Sequence, residues 1–402
     1  MLRLAAYLSL VLSMVGVALV RAGPNAVPPP SYLFANYTPV DLPINATFFG
    51  NFADVYVQQR TNQFFILTSE SLYQLDYDRT AIINENNITA IPAVIQTDEI
   101  AGHNYIFLTG LLYQSDALDD PDDPRRGAYV PPITASIPSA LYRFDAHNIT
   151  APPTILSFIE FPDYSISLII DPKRHLGFVI SQDHANIVVV DLATMTNLTS
   201  FNYITLAAPP LAFAQGLPGG HGMAYDKQEE ILYVGVNCHM PTAGYIWQYD
   251  VSNIFSPRMT DKTIFAADPC FNANGFVAEG HPWFVDQESG WIGSFSRNKL
   301  HWQKERTVAS RSLVLSTEYD SENYQAYFIE TGVLTGHFPT PGRVIRTCMR
   351  EDAPHNVHEA VAWSPDPTDL LGSYLELRTR TLYTVTCANI YAMTVNGTDC
   401  AQ

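Results

Sequence analysis

Four histidines of this chain lie just before segments that the sequence predicts to be β-strands. Two of them, His221 and His281, share their context, because each follows a glycine and each precedes an aspartate by five residues. His103 also follows a glycine, and His358 comes shortly before an apolar run. Imidazole nitrogens bind zinc, copper and iron, so four converging side chains would hold a divalent metal ion. If each imidazole instead hydrogen-bonds within its own repeat, its role is structural only.

A metal ion held at these histidines with an open coordination position would favour an enzyme, since a bound ion activates water or polarises a carbonyl group, whereas a closed set of ligands would favour a structural metal. The reaction would be that of a hydrolase or lyase acting on a small molecule. The sequence contains no Gly-x-Ser-x-Gly motif, so serine-hydrolase chemistry of that kind has no support. Residues 355–359 carry two histidines and a glutamate, but they fall in a predicted loop and not on the helix of a metalloprotease site. The sequence therefore leaves open whether the chain is an enzyme.

The elements that must position these residues repeat along the chain. Four segments share an apolar residue, an aromatic or β-branched residue, any residue, an apolar residue and a closing aspartate, and they are residues 72–76, 141–145, 187–191 and 246–250. Weaker copies follow near residues 300, 345 and 384. A repeat of about 50 residues is typical of a propeller or a solenoid.

Each repeat is read as a set of short antiparallel strands. In one repeat, residues 165–171, 176–180 and 187–191 are predicted strands, and a fourth strand after the closing aspartate would complete a blade. We therefore predict an all-β chain that forms a single β-propeller of about seven four-stranded blades. Six blades are the alternative, because the repeats at residues 297–347 are poorly formed. A pair of β-sandwiches is the other possible fold, but it does not account for the recurring aspartate.

The repeats resemble those of the β-propeller superfamily, in particular the NHL and YVTN types and the sugar-lactonase-like enzymes. The resemblance is carried by Asp171-Pro172 at the end of one strand and by Val189-Val190-Asp191-Leu192 in another, and it spans most of residues 50–396. It implies a ring of blades around a central channel. Several propeller enzymes bind a metal ion at the mouth of that channel, which is the place that the resemblance implies for the four histidines.

The N-terminus predicts export from the cell. Arg3 precedes an apolar stretch at residues 4–20, and Val20-Arg21-Ala22 is a small-x-small cleavage site, so residues 1–22 are a predicted signal peptide. An uncleaved signal anchor is the alternative. Residues 23–43 form a proline-rich lead-in, and residues 44–402 form the predicted propeller. No second apolar stretch of spanning length follows, so we expect no membrane span after cleavage and a secreted protein, or one in the lumen of the secretory pathway.

Six Asn-x-Thr sequons follow the predicted signal peptide, at Asn36, Asn45, Asn87, Asn148, Asn197 and Asn396. Such sequons are acceptors for N-linked glycans in secreted proteins. Three of them follow a closing aspartate closely, which predicts glycans on the outer flank of three consecutive blades. The opposite flank or the channel mouth would then remain for a partner.

Five cysteines are expected to face an oxidising compartment. Cys387 and Cys400 would close a short loop, and Cys238 and Cys270 would join neighbouring repeats. Cys348 would then be left over, either free or paired with another molecule. The sequence does not fix the connectivity.

The formal net charge of −18 argues against nucleic acid as a partner, because nucleic-acid binding needs clustered Lys and Arg. The leading interpretation is a secreted glycoprotein that acts as an extracellular binding or interaction module, with a protein or a small molecule as its ligand. The alternative is the metal-dependent hydrolase or lyase described above.

Overall fold

The computed structural model describes residues 37–44, 52–58, 60–68, 71–88, 90–112, 138–162, 166–181, 186–202, 219–237, 244–266, 273–286, 291–295, 302–307, 314–330, 342–350, 358–363, 370–386 and 389–395. In these ranges the regular elements are all β-strands. None of the described residues belongs to a helix with the length and apolar character needed to cross a membrane.

The strands form seven sheets of four strands each, and each sheet is one blade. Blade 1 contains β2 (Phe52–Gln58), β3 (Gln63–Thr68), β4 (Ser71–Asp76) and β5 (Ile82–Asn87). Blade 2 contains β6 (Ala90–Ile100), β7 (His103–Leu112), β8 (Pro138–Asp145) and β9 (Thr154–Pro162). Blade 3 contains β10 (Ile166–Asp171), β11 (Leu176–Ser181), β12 (Asn186–Asp191) and β13 (Thr196–Asn202). Blade 4 contains β14 (Gly219–Asp226), β15 (Ile231–Asn237), β16 (Gly244–Asp250) and β17 (Arg258–Ala266).

The remaining blades follow the same scheme. Blade 5 contains β18 (Ala273–Ala278), β19 (His281–Asp286), β20 (Trp291–Phe295) and β21 (Trp302–Thr307). Blade 6 contains β22 (Val314–Asp320), β23 (Gln325–Glu330), β24 (Arg343–Cys348) and β25 (His358–Trp363). Blade 7 contains β26 (Leu370–Glu376), β27 (Thr381–Thr386), β28 (Ile390–Thr394) and the N-terminal strand β1 (Tyr37–Pro39). The prediction of an all-β propeller with seven blades is confirmed.

Blade 7 closes the ring because it joins both ends of the described chain. β1 is its outermost strand and pairs antiparallel with β28, with Tyr37 opposite Met393 and Pro39 opposite Tyr391. The backbone N–H of Val40 extends the pairing by donating to the carbonyl of Ile390 at 2.8 Å. The first strands of neighbouring blades contact one another all the way round, from β2 to β26 and back to β2. These seven first strands therefore line the central channel.

The hydrophobic core is divided among the seven junctions between blades. Alternate side chains of one strand face opposite neighbours: Phe64 packs towards blade 7, and the next residue, Phe65, packs towards blade 2. Both rings are almost completely buried, and each contributes about 2–3 kcal/mol of apolar burial. Because both faces of a blade are covered, the second and third strands read as continuous apolar runs and not as an alternation.

The closing aspartates occupy equivalent positions, which confirms the interpretation of the repeat. Asp76, Asp145, Asp191 and Asp250 each end the third strand of a blade. Each caps the turn into the fourth strand, as Asp191 does by accepting the backbone N–H of Ala193 at 2.8 Å. The turns from first to second strand lie at the same end of the blades, because first and third strands run in the same direction. We call this end the turn face.

Candidate functional site

The four candidate histidines lie in strands that occupy different positions in their blades, counted from the central channel outward. His103 begins β7 and His281 begins β19, which are second strands. His358 begins β25, the fourth strand of blade 6, and only His221 lies in a first strand, β14. The expectation that all four precede strands lining the channel is therefore wrong.

His221 and His281 lie at opposite ends of the propeller. His221 is near the start of β14, whereas His281 follows the end of β18, at the turn face. The Nδ1 atom of His281 is 3.1 Å from the carbonyl oxygen of Phe295, a residue of the same blade. His103 is exposed on blade 2, and the side chains of His221 and His358 are outside the described part of the structure. A metal ion shared by these histidines stays a prediction, and elemental analysis of the purified protein tests it. The observed positions of the strands do not favour such a site.

Two carboxyl groups stand out among the residues of the first strands. Asp54 of β2 is 6% exposed, and its oxygens accept the backbone N–H groups of Val55 and Ile95, both at 2.8 Å. Burial raises the pKa of Asp54 to about 7, although the two hydrogen bonds act in the other direction. The hydrogen bond to Ile95 joins blade 1 to blade 2.

The second carboxyl is that of Glu318, in β22. Its Oε1 accepts a hydrogen bond from the Ser373 hydroxyl at 3.1 Å, and the Ser373 and Ser316 hydroxyls are 2.8 Å apart. Burial, with a smaller contribution from the charge of Asp54, raises the pKa of Glu318 to about 8, although the hydrogen bonds from Ser373 and from the Leu375 backbone act in the other direction. Strongly raised pKa values of this kind mark candidates for function.

The turn face carries polar contacts that join neighbouring blades. Arg174 binds the buried carboxylate of Asp171 and also donates to the carbonyls of Val251 and Ser252, in blade 4, at 3.0 and 3.2 Å. The Tyr225 hydroxyl donates to the same carboxylate at 2.8 Å. Burial acts to raise the pKa of Asp171, but the hydrogen bonds from Arg174 and Tyr225 outweigh it and hold this pKa below its ordinary value.

Equivalent contacts join other blades at the turn face. Arg380 of blade 7 binds the carboxylate of Asp320 in blade 6. His175 of blade 3, which has a left-handed backbone with a φ of 54°, places Nδ1 2.9 Å from Asp98 of blade 2. These contacts fix the blades relative to one another at the turn face.

One turn of this face presents an apolar ring to solvent. Phe255, between β16 and β17, is 69% exposed, more than any other large apolar side chain in the described ranges. Its backbone N–H donates to Asn253 Oδ1 at 3.1 Å, and the Ser252 hydroxyl donates to Asp250 at 2.6 Å. Arg174 holds the start of the same turn from blade 3. The ring of Phe255 is thus displayed by a turn whose backbone is fixed at several points.

The outer flank of blades 1–3 carries three of the predicted glycan acceptors. Asn87 ends β5, Asn197 lies in β13, and Asn148 lies in the turn before β9; all three are exposed. The positions agree with the expectation of a place in, or just before, the outermost strand of three consecutive blades, whereas occupancy by a glycan stays a prediction. The other sequons, Asn36, Asn45 and Asn396, are outside the described residues.

Cys348 ends β24, is buried, and is one half of a disulfide. The expectation that Cys348 is left unpaired is therefore wrong. The other four cysteines, Cys238, Cys270, Cys387 and Cys400, are outside the described residues, and one of them is the partner of Cys348 because the chain has five cysteines in all. The predicted pairs Cys238–Cys270 and Cys387–Cys400 therefore cannot both form.

Comparison with known proteins gives the fold and no more. No known family model matches the chain, and no curated protein matches it significantly in sequence. A chain in the crystal structure of Chaetomium thermophilum Raptor superposes with a TM-score of 0.60 at 8% identity, covering 90% of this chain and 29% of that one. A chain of the mitotic checkpoint complex superposes with a TM-score of 0.56 at 11% identity, covering 90% and 95%. The protein is a seven-bladed β-propeller. The NHL, YVTN or lactonase type stays a prediction.

The sequence analysis missed the functional candidates among the first strands and turns. Asp54 lies between apolar residues of β2, and that interruption was the signal that could have found it. Glu318 lies in β22 beside Thr317 and Tyr319, where the sequence carries no such signal. Phe255 lies in a segment rich in serine and asparagine, where a large aromatic residue is unexpected. The sequence marks such residues, but it does not show which of them are buried.

Proposed function

We propose that this propeller is a secreted glycoprotein that binds another extracellular protein through its turn face, with Phe255 at the centre of the contact. The observation that carries the proposal is the fixed turn that exposes this ring. Aromatic residues are enriched among those that dominate protein–protein binding energies. A side chain presented by an ordered backbone also loses less conformational entropy on binding.

The shape of the site favours a protein over a small molecule as the ligand. Small-molecule sites are concave, whereas Phe255 stands out from its turn and suits an apolar pocket on a partner. Arg258, which is 74% exposed and bonded to Asp250 at 3.0 Å, would lie at the polar rim of such a contact.

The predicted glycans are compatible with this surface. Asn87, Asn148 and Asn197 belong to blades 1–3, whereas Phe255 belongs to blade 4. Glycans there would cover the exposed apolar residues of the outermost strands, such as Ile83 and Ile155, and leave the turn of blade 4 accessible. Peptide mapping by mass spectrometry of the protein from a eukaryotic secretory host tests this part. Unmodified asparagine at all three positions would contradict it.

The binding proposal is tested with Phe255→Ser and with Ile83→Ser as the matched control, since Ile83 is also half-exposed. Wild type and both variants are immobilised and exposed to culture medium and solubilised cell-surface proteins, and the captured proteins are quantified. A partner should be lost with Phe255→Ser and retained with Ile83→Ser. Titration with the purified partner should show a dissociation constant raised at least about 10-fold by Phe255→Ser. Equal affinity of Phe255→Ser and wild type would reject the proposed contact.

A further inference from the structure

The disulfide-bonded Cys348 lies at the turn face of blade 6. It ends β24, the third strand of that blade, and is paired with Gln325, the first residue of β23. The next residue, Met349, donates its backbone N–H to the carbonyl of Tyr324 at 2.8 Å. The Cα atoms of a disulfide lie within about 7 Å of each other, so the partner of Cys348 must reach this end of blade 6.

Cys387 adjoins the opposite end of the propeller, which we call the far face because second strands end there and first strands begin there. Thr386, the last residue of β27, is paired with Leu370, the first residue of β26, and therefore lies at the far face. From Thr381 to Thr386 the strand rises about 17 Å. Cys387 is the next residue, so it is about a full strand length away from the turn face and cannot pair with Cys348.

Cys238 and Cys270 are also joined to the far face by short segments. Cys238 follows Asn237, the last residue of β15, which is paired with Gly219 at the start of β14. Cys270 precedes Ala273, the first residue of β18, by three positions. Three residues reach at most about 11 Å, which is less than the rise of about 17 Å along β18. Neither cysteine therefore reaches the turn face of blade 6.

Cys400 follows the turn face of blade 7, which is next to blade 6. Val395 donates its backbone N–H to the carbonyl of Arg380 at 2.8 Å, and its buried side chain belongs to the same hydrophobic cluster as Tyr327 of blade 6. Cys348 lies in the strand beside that of Tyr327, at a distance of about 10 Å. Five residues lead from Val395 to Cys400 and can span up to about 18 Å, which is enough to reach Cys348.

We propose that Cys348 and Cys400 form a disulfide that fastens the segment after β28 to blade 6. β28 is the strand with which β1 pairs, so the bond secures the blade that closes the ring. This pairing replaces the predicted pair of Cys387 with Cys400. It leaves Cys238 and Cys270 able to pair with each other between blades 4 and 5.

The bond forms by oxidation of two thiols. Two electrons and two protons pass to a disulfide of an oxidising protein, which is thereby reduced to a dithiol. This step needs the oxidising compartment that the proposed secretion supplies, and in this respect the inference rests on the proposed function. The cross-link closes a loop over residues 348–400, which restricts the unfolded chain and stabilises the folded one.

Disulfide mapping of the full-length protein from a eukaryotic secretory host tests the pairing. Thiols are blocked at once in both the medium and the cells, so retention inside the cells is distinguished from failure of the pairing. N-linked glycans are removed, because the sequon at Asn396 is close to Cys400. Digestion of the unreduced protein with trypsin releases residues 347–350. Chymotrypsin then cuts after Tyr391 and separates Cys387 from Cys400.

We expect residues 347–350 to be linked to the peptide that contains Cys400. A link to any other cysteine would overturn the proposal, and so would five unpaired thiols in the secreted protein. Loss of the contact at Phe255 with this link intact would reject only the proposed binding surface. A secreted protein that binds through Phe255 but carries another link would reject only the disulfide.

Cys400→Ser, with Cys387→Ser as the matched control, tests whether the bond fastens the closing blade. Cys400→Ser leaves Cys348 as a thiol, so the number of thiols titrated in denaturant should rise by one, whereas it should not rise in Cys387→Ser. Hydrogen exchange of β1 and β28 should be at least about 10-fold faster in Cys400→Ser than in wild type, with blades 3 and 4 unchanged. Equal exchange in the two variants would refute the fastening. If Cys400→Ser does not fold, the wild-type map still decides the pairing.

Discussion

Replacing Arg174 by methionine should loosen the junction between blades 3 and 4. The arginine is 21% exposed, and the Asp171 side chain that it binds is 1% exposed. Methionine retains much of the apolar stem, so the change removes the guanidinium and little packing. Asp171 would then keep the Tyr225 hydroxyl and the N–H of Lys173 as donors, but no cation.

The magnitude follows from what the guanidinium compensates. Removing one partner of a buried ion pair typically costs 3–5 kcal/mol, and the partial exposure of Arg174 places this pair at the lower end, about 3 kcal/mol. The carbonyls of Val251 and Ser252 lose a donor as well, at about 1 kcal/mol each if water does not replace it. We expect the free energy of unfolding to fall by about 3–5 kcal/mol, the lower value applying where water replaces the guanidinium at both carbonyls.

Denaturant unfolding at neutral pH measures this loss, and Arg258→Met is the matched control. Arg258 also pairs with an aspartate, Asp250, but it is 74% exposed, so its loss should cost only about 0–1 kcal/mol. Adding Asp171→Asn to Arg174→Met should recover about 1–3 kcal/mol, because the uncompensated charge is gone.

Acid should reduce the difference between wild type and Arg174→Met. The pKa of Asp171 is lowered in the folded protein, so its contribution is present above about pH 4 and is lost as the pH falls through the lowered value. Equal costs for the changes at Arg174 and Arg258, or strict additivity with Asp171→Asn, would refute the reasoning.

Two further predictions concern close packing and closure. Gly275→Ala should lower the free energy of unfolding by about 1–3 kcal/mol, because a Cβ there would lie 2.7 Å from the Phe284 ring and 3.0 Å from the Met223 carbonyl oxygen. Thermal unfolding measures the loss. An unchanged unfolding midpoint would show that blades 4 and 5 can move apart to accommodate the methyl group. Deleting residues 23–40 removes β1 and should lower the unfolding temperature. Limited proteolysis should then cut blade 7 earlier than the other blades. Equally fast cleavage of all blades would show that β1 does not stabilise the closure of the ring.

The sequence predicted the blades well because their turns have local chemical requirements. A turn between the third and fourth strand needs a side-chain acceptor for its free N–H groups, and aspartate at residues 76, 145, 191 and 250 meets that need within the same few residues. The blade count also followed, because the period is visible even in the weaker repeats.

The candidate sites were harder to predict because they depend on the position of each strand within its blade and on contacts between blades. A histidine before a strand looks the same whether that strand is first, second or fourth in its blade, so His103, His281 and His358 were assigned wrongly to the channel. A carboxylate within a strand normally indicates a solvated face. In this ring both faces of the first strands meet other blades, which is why Asp54 is buried.

The pairing of β1 with β28 sets an order of events during synthesis. Their paired residues Tyr37 and Met393 are 356 positions apart, so β1 is made long before its partner. At a synthesis rate of about 5–20 residues per second, on the order of 20–70 seconds pass between the synthesis of β1 and that of β28, the strand with which it pairs. The sequons at Asn36 and Asn45 lie on either side of β1 in the sequence. Enzymes that modify the N-terminal segment would therefore reach it before the ring closes.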